Sequence, residues 1–331
     1  MSQRDFTWHD GERTIRFGRG AIADAPQLLG TGYALLTTPR AEASAPEVVA
    51  GAASVHHVAT GFVDELAAEL LDAVDAELVV ALGGGRVVDT AKAIAAARGG
   101  TSRAAAIPTT LSAAEMTRVH RHAAGVDAST PRVRPAIVIN DPDLCASQPT
   151  PELAASAANS LAHAVEGPVT VLASPVPSLA GREAARLTAV AYAHEPDDPD
   201  REALALAALL SGYAFDSAGY GLHHVLSQTL VRVGGAGHGK ANAAMLPHTA
   251  AALRKRAPAE LAALDAAIGR SVEPLAGELA VLAGADGIRR IGVPQERLDD
   301  CAAAAARRAE LELTPPRADE AELRALYADA W

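Results

Sequence analysis

The sequence predicts an α/β protein in two parts, a mostly parallel sheet covered on both faces and then an all-helical half. Three observations predict it. Through the first 149 residues, short apolar runs alternate with segments of helical spacing, which is how strand–helix–strand units read. One of those runs, Leu78–Leu82, leads into Gly83, Gly84 and Gly85 and then into Val88–Ala97, a segment of helical composition. Strand, glycine loop, helix is the order that aims backbone N–H groups and the positive end of a helix at a phosphate. From Thr150 onward the pattern is alanine- and leucine-rich and helical almost to the end. The change of character sets the expected domains at 1–149 and 150–331.

Taken in order, residues 12–18 (ERTIRFG) alternate polar and apolar and read as a strand. Tyr33–Thr38 reads as a buried strand and Ala41–Ala53 as the helix after it. Val55–Val58 is a third short strand, and Gly61–Ala76 carries apolar residues at helical spacing. After the glycine loop, Ala104–Ile107 is a strand ending at Pro108-Thr109-Thr110, and Ala136–Asn140 is another. Thr150-Pro151-Glu152 reads as a helix start, with a capping hydroxyl, a proline at the first position and an acid. His194–Asp200, Arg254–Pro258 and Gly284–Pro294 read as breaks between helices, and Asp319–Trp331 as a closing amphipathic helix.

Composition narrows the function classes. At 331 residues, 49% hydrophobic and 21% charged, the chain has material for a sizeable core. A net charge of −11 argues against nucleic acid or an anionic membrane surface as partner. No apolar run approaches the roughly 20 residues that span a bilayer. The opening MSQRDFTWHDGERTIRFG is polar and lacks the apolar segment of a signal peptide. A cytoplasmic location is the expectation. Cys145 and Cys301 are too few and too far apart for a disulfide framework or a zinc site, and read as free buried thiols.

Three constellations are candidates for chemistry. In the first, Gly83–Gly85 allow close backbone approach to a pyrophosphate, and Asp89 and Lys92 share a helix face three residues apart. The same loop also reads as a tight turn followed by a surface ion pair. In the second, Thr109, Thr110 and Ser112 follow a strand, where ligands bind in open α/β sheets; the same hydroxyls also read as helix caps. The third is a set of histidines in the helical half. Asn159 and His163 lie four apart on one helix face, with Glu166 three further on. His223, His224, His238 and His248 follow in glycine-flanked contexts. Histidines converging from separate helices are a metal-site pattern when a carboxylate joins them, and otherwise are core or surface residues.

Together these segments resemble the iron-containing alcohol dehydrogenase superfamily, and within it the maleylacetate reductase branch. GGGRVVDTAKAIA resembles that family's GGGSxxDxAK pyrophosphate loop, and IPTTLSAAEMT its IPTTxxGSEMT. SAANSLAHAVE resembles SGMNAxAHAVE. GLHH and HGKANAAMLPH resemble its two histidine segments, and VHHVA and ELRALYADAW also match the branch. The resemblance implies the dehydroquinate synthase-like fold: an N-terminal Rossmann-like dinucleotide domain, an all-α C-terminal domain carrying substrate and catalysis, and an active site in the cleft between them. It implies NAD(H) or NADP(H), with Gly83, Gly84, Gly85, Asp89 and Lys92 on the pyrophosphate side and Thr109, Thr110 and Ser112 along the neighbouring phosphate and ribose. The metal-ligand positions of the family fall on Asn159, His163, His224 and His238.

This sequence departs from the pattern at several of those places. Asn159 stands where an aspartate ligand is usual, which removes the only anionic ligand. The maleylacetate reductase branch also carries asparagine there, so a divalent metal is not expected; were one bound, His163, His224 and His238 would hold it. Ser227 and Gln228 replace a Cys-His pair, Arg86 replaces the serine of the glycine loop, and Ala113-Ala114 replaces Gly-Ser. The expectation is an NAD(P)H-dependent reductase that adds hydride to a carbonyl or a carboxylate-conjugated C=C of a small acidic substrate. His224 and His238, then His163, are the expected proton donors, with Asn159 beside them. Histidine cations, with Arg118 or Arg121, are placed to hold the acidic group, and Arg40 to pair with a 2′-phosphate; each of these arginines reads first as a solvated surface residue, and the choice between NADH and NADPH stays open. A homodimer is implied by the resemblance. Two alternatives stay open: a non-redox lyase or cyclase on the same scaffold, and a cofactor-binding protein that has lost turnover.

Overall fold

The structure is a computed structural model that describes residues 4–331; Met1–Gln3, part of the polar opening, lie outside the described residues. The chain divides into two compact units, Met1–Gln148 and Pro149–Trp331.

Among the described residues the first unit is built on a seven-stranded sheet. Its strands are β1 (Phe6–Asp10), β2 (Arg13–Phe17), β3 (Tyr33–Thr37), β4 (Ala52–His57), β5 (Leu78–Gly83), β6 (Arg103–Pro108) and β7 (Ile137–Asn140). They lie in the order β1-β2-β7-β6-β5-β3-β4. Only the β1–β2 hairpin is antiparallel; every other pair is parallel. Successive residues of the central strands face opposite sides. Val79 and Ala81 of β5 pack with Leu66, Val88 and Ile94 on one face. Val80 and Leu82 pack with Leu29, Val48 and Ile139 on the other. A sheet covered on both faces cannot alternate apolar with polar, which is why its strands read as continuous apolar runs. After β4 the chain returns past β3 to lay down β5, then β6 and β7 outward on the other side. The order therefore reverses between β3 and β5, and the glycines end β5 beside that reversal, the place where doubly wound sheets bind ligands.

One sequence expectation differs here, and one strand had no reading. Ala41–Ala53 is not one helix: Pro39–Glu42 and Pro46–Gly51 are separate short helices, and Ala52 already belongs to β4. Pro46 divides them, because it has no N–H to continue the earlier helix and pushes Ala45 out of helical backbone, to φ −145°. The first strand, β1, has no apolar run to signal it, since its residues alternate only between exposed and half-buried.

The second unit is helical. The helix Thr150–Glu166 runs through its middle, and every residue from Leu153 to Glu166 is buried. Around it lie Pro175–Ala191, Arg201–Ala218, Leu222–Arg232, His238–Arg256, Pro258–Ile268, Val272–Leu282, Leu298–Ala306 and Glu320–Asp329. Alanine and glycine permit close approach: a Cβ on Gly181 would lie 3.0 Å from the Ala164 carbonyl oxygen. Thr150 is not the cap of its helix. Pro149 holds that place, and the Thr150 hydroxyl donates to the Asp197 carbonyl instead (3.1 Å). Among the described residues no helix is long and apolar enough to cross a membrane.

Candidate active site

In the first unit the carboxyl ends of β5 and β6 carry the glycine loop and the hydroxyl loop side by side, because these strands pair in register as far as Gly83 and Pro108. The Thr109 N–H donates to the Gly83 carbonyl (3.0 Å). None of the three glycines has a positive φ. Their need for glycine is steric. A Cβ on Gly83 would meet Val87 Cγ2 at 2.7 Å, one on Gly84 would meet Thr110 Cγ2 at 2.9 Å, and one on Gly85 would meet Ser112 Cβ at 2.9 Å. Gly84 precedes the helix Gly85–Ala97 with no side chain capping it, so the helix offers backbone N–H groups and its positive end. Gly84, Gly85, Thr109, Thr110 and Ser112 are half-buried, and Arg86 is exposed on the first turn. No helix follows the three hydroxyls, so capping is not their role.

Lys92 has a different task from the one expected. It is fully buried. Its ammonium donates to the carbonyls of Ala114 (2.8 Å), Thr117 (2.9 Å) and Val119 (3.2 Å) and pairs with Asp89 Oδ1 at 2.8 Å. With those oxygens around it, the side chain shapes residues 114–119 rather than reaching for a phosphate. Glu115 was missed by sequence reasoning, although it is a lone carboxylate in an apolar stretch. It is 1% exposed, and its Oε1 accepts from Asn140 Nδ2 at 3.4 Å. Burial pushes its carboxyl up to about 7, against the pull of Lys92 and Arg13.

In the second unit the helix Thr150–Glu166 supplies Asn159, His163 and Glu166 from one buried face, all at most 5% exposed. The helix Leu222–Arg232 supplies His224, stacked on His163 with centroids 4.8 Å apart. Phe215 packs against both imidazoles, at 4.3 and 4.7 Å, and Tyr220 stacks on Phe215 at 5.2 Å. His224 Nδ1 lies 2.6 Å from Glu166 Oε2. Glu166 also accepts the His223 N–H at 2.7 Å. His163 Nδ1 and His224 Nε2 are buried with no hydrogen-bond partner. Burial, then the charges of neighbouring histidines, hold both imidazoles well below their ordinary value. They are neutral bases, so the expected cationic role in gripping an acidic substrate is not theirs. His238 begins the helix His238–Arg256 and is exposed. His223 is spoken for: its ring nitrogens bond Thr249 Oγ1 (2.7 Å) and Asn242 Oδ1 (3.0 Å), and burial pushes it down to about 3.

The place of the family's second histidine shows a further group that no local pattern in the sequence announced. Gln228 Oε1 accepts from Arg308 Nη2 at 3.0 Å. The same guanidinium forks onto Glu310 (2.8 and 3.0 Å) and reaches Tyr220 Oη at 3.2 Å. The pairing holds the Glu310 carboxyl down to about 2.

Comparison with known proteins decides what this arrangement belongs to. The family described as iron-containing alcohol dehydrogenase matches residues 12–142, and the one described as the C-terminal part of the Fe-containing alcohol dehydrogenase family matches residues 153–331. The chain belongs to the iron-containing alcohol dehydrogenase family. As a member it is an oxidoreductase. It is 34% identical over 285 residues to maleylacetate reductase 2 of Cupriavidus pinatubonensis, covering 80% of this chain and 79% of that one. It is 36% identical over 173 residues, half of its length, to the 1,3-propanediol dehydrogenase of Citrobacter freundii. The crystal structure of maleylacetate reductase from a Rhizobium species superposes with a TM-score of 0.82 at 28% identity, covering 99% of this chain and 98% of that one.

Family membership corrects the expectation that no divalent metal is bound, because the iron-containing alcohol dehydrogenases imply iron or another divalent metal beside the nicotinamide cofactor. The expectation rested on the neutral Asn159 and on the resemblance to the maleylacetate reductase branch, and gave no weight to the carboxyl group behind His224. The donor chemistry fits. Two neutral imidazoles present bare nitrogens in a buried place, and one donates its other N–H to a carboxylate, the usual setting of a metal-bound histidine. Among the described residues no three His, Cys, Asp or Glu side chains form a ready-made cage, so the fit lies in these two nitrogens with Asn159 and His238 nearby in sequence and fold.

Proposed function

We propose that this chain is an NAD(P)H-dependent reductase of a small acidic substrate carrying a carbonyl or a carboxylate-conjugated C=C. The observation that carries the reading is the pair of buried, neutral, unpartnered nitrogens on His163 and His224, in a protein whose relatives include maleylacetate reductases. In the first unit, Gly83, Gly84 and Gly85 keep the start of the helix clear of side chains, so its N–H groups are open to a pyrophosphate. Thr109, Thr110 and Ser112 add hydroxyls along the same edge. Lys92 and Asp89 hold the neighbouring segment in shape from beneath. Bound there, a reduced nicotinamide dinucleotide supplies the hydride.

In the second unit, His163 Nδ1 and His224 Nε2 are the nitrogens that would hold a divalent metal, with Asn159 and His238 completing the set. Such a metal supplies Lewis-acid polarisation of a substrate oxygen. Glu166 fixes the tautomer of His224 by accepting from Nδ1. His238, the exposed member, is in touch with water, and the proton that the reduced product needs is delivered to it from that water. Phe215 and Tyr220 wall the histidines off and keep their surroundings dry.

The test is direct. Purified protein, supplemented with Fe²⁺ or Zn²⁺, is mixed with NADH or NADPH and a panel of keto acids, enoates and aldehydes, and the near-ultraviolet absorbance of the reduced cofactor is followed. Consumption with an acid-bearing carbonyl or enoate is expected. Consumption with uncharged aldehydes only would discard the acidic substrate, and no consumption on any member would discard the reductase.

A further inference from the structure

A dication bound by His163, His224, His238 and Asn159 would have only neutral ligands. In a buried site that leaves two positive charges without an anion, which is costly. The nearest buried carboxyl reachable through a ligand is Glu166. It is 0% exposed, and its Oε2 lies 2.6 Å from His224 Nδ1, on the ring edge opposite the bare Nε2. The carboxylate is held at the start of the helix Leu222–Arg232, where the N–H groups of His223 (2.7 Å) and His224 (3.4 Å) donate to it. Asn159, His163 and Glu166 share one face of the central helix, and His224 comes from its neighbour.

We propose that Glu166 is the positioning residue that supplies, one bond out, the negative charge Asn159 does not. The inference rests on the metal-bearing reading above. The Glu166–His224 pair carries one negative charge once a metal takes Nε2 and the Nδ1 proton is shared, whether that proton sits nearer nitrogen or oxygen. Glu166 also orients the ring, since a neutral imidazole that donates from Nδ1 must present Nε2 as an acceptor. Asn159 and Glu166 thus form a compensating pair on one helix face: a charge has moved from the first contact to the second without leaving the site.

The test measures Co²⁺ binding to the full chain by equilibrium dialysis and by the cobalt absorption band, in wild type, Glu166→Gln, Asn159→Asp and the double variant, with thermal melts of the metal-free proteins to establish folding. Glu166→Gln, which keeps an acceptor for the helix N–H groups, is expected to weaken binding by about 10–100-fold. In the Asn159→Asp background, where the metal has a direct anion, the same change is expected to cost only a few-fold. Equal losses in both backgrounds would show that Glu166 acts by orientation alone and would overturn the charge argument. Unchanged binding in Glu166→Gln would overturn the whole inference while leaving the metal reading intact. A wild type that takes up no Co²⁺ would overturn both. Should Glu166→Gln fail to fold, Asn159→Asp alone decides. A gain of about tenfold or less supports compensation, whereas a gain of about a thousandfold means the dication was uncompensated and Glu166 does not serve it.

Discussion

The loops after β5 and β6 and the histidine group of the helical unit treat buried polar atoms in opposite ways. Beneath the loops, the buried ammonium of Lys92 has an oxygen on every side. Around the histidines, two ring nitrogens are buried with nothing bonded to them. Unsatisfied buried groups cost stability. A fold that saturates one and leaves the other bare has made a frame in the first place and a docking point in the second. The difference also separates two kinds of residue that a motif lists together. Gly84 and Lys92 stand in one motif, yet one acts by the space it leaves and the other by the oxygens it gathers.

The strongest way to break this comparison is to remove the ammonium. Lys92→Met leaves three carbonyls and Asp89 facing an apolar side chain, and is expected to cost about 3–5 kcal/mol. Denaturant unfolding measures it. A loss under about 1 kcal/mol, together with weaker NADH binding, would return Lys92 to the phosphate and undo the distinction drawn here.

Glu115 is the exception inside the saturated region, since its Oε2 and the Oδ1 of Asn140 are both buried without partners. A proton on Oε2 would answer both, and a carboxyl held at about 7 carries one at neutral pH and below. The sign follows from linkage. The folded state holds the proton more tightly than the unfolded chain, whose carboxyl titrates near its ordinary 4.5. Stability from this group is therefore fully present below that value, falls as pH rises towards 7, and is level beyond. The total is about 3 kcal/mol, at roughly 1.4 kcal/mol for each pH unit of that window. Glu115→Gln keeps the shape and removes the titration. The stability difference between variant and wild type should thus grow in the variant's favour across that window, and a difference independent of pH would show that Glu115 is ionised throughout.

A smaller effect is expected from Gly84→Ala. Its Cβ would press on Thr110, so the two loops must part, at about 1–3 kcal/mol. NADH should bind at least several-fold more weakly, measured by fluorescence titration. Unchanged affinity would mean that the spacing of these loops does not matter to the cofactor.

How much of this was legible depended on whether the cause was local. The sheet was legible because strands covered on both faces must be apolar, and Tyr33–Thr37 and Leu78–Gly83 fall where apolar runs do. The helical half was legible from its alanine and leucine spacing. Proline at 46 was visible, but the helix reading ran across it. At the site, three consecutive glycines marked the loop, yet the reason for two of them, the approach of residues 110 and 112, belongs to the loop after a neighbouring strand. Lys92 carried a signal that was passed over, since AKAIAAA has no polar face for its ammonium to reach. Glu166 was noticed for its spacing and given no task, because its partner lies 58 residues away. Arg308 and Glu310 meet Gln228 and Tyr220 across some 80 to 90 residues, and nothing local announces such a meeting.

The smallest effect is expected at Ala113, and it sharpens the comparison because here strain, not a polar atom, is what the frame tolerates. Ala113 is the one non-glycine residue with a positive φ among the described residues, at 60°. It stands where the resemblance places glycine. A Cβ in the left-handed region costs about 1–2 kcal/mol, and glycine removes that cost while adding freedom to the unfolded chain. Ala113 is also fully buried, so glycine forfeits one methyl of packing. The terms nearly cancel, so Ala113→Gly is expected to change stability by less than about 0.5 kcal/mol, read as a denaturation midpoint and slope close to those of the wild type. A loss would mean that the methyl packs better than the backbone suffers, and that the loop after β6 was built around alanine in this chain.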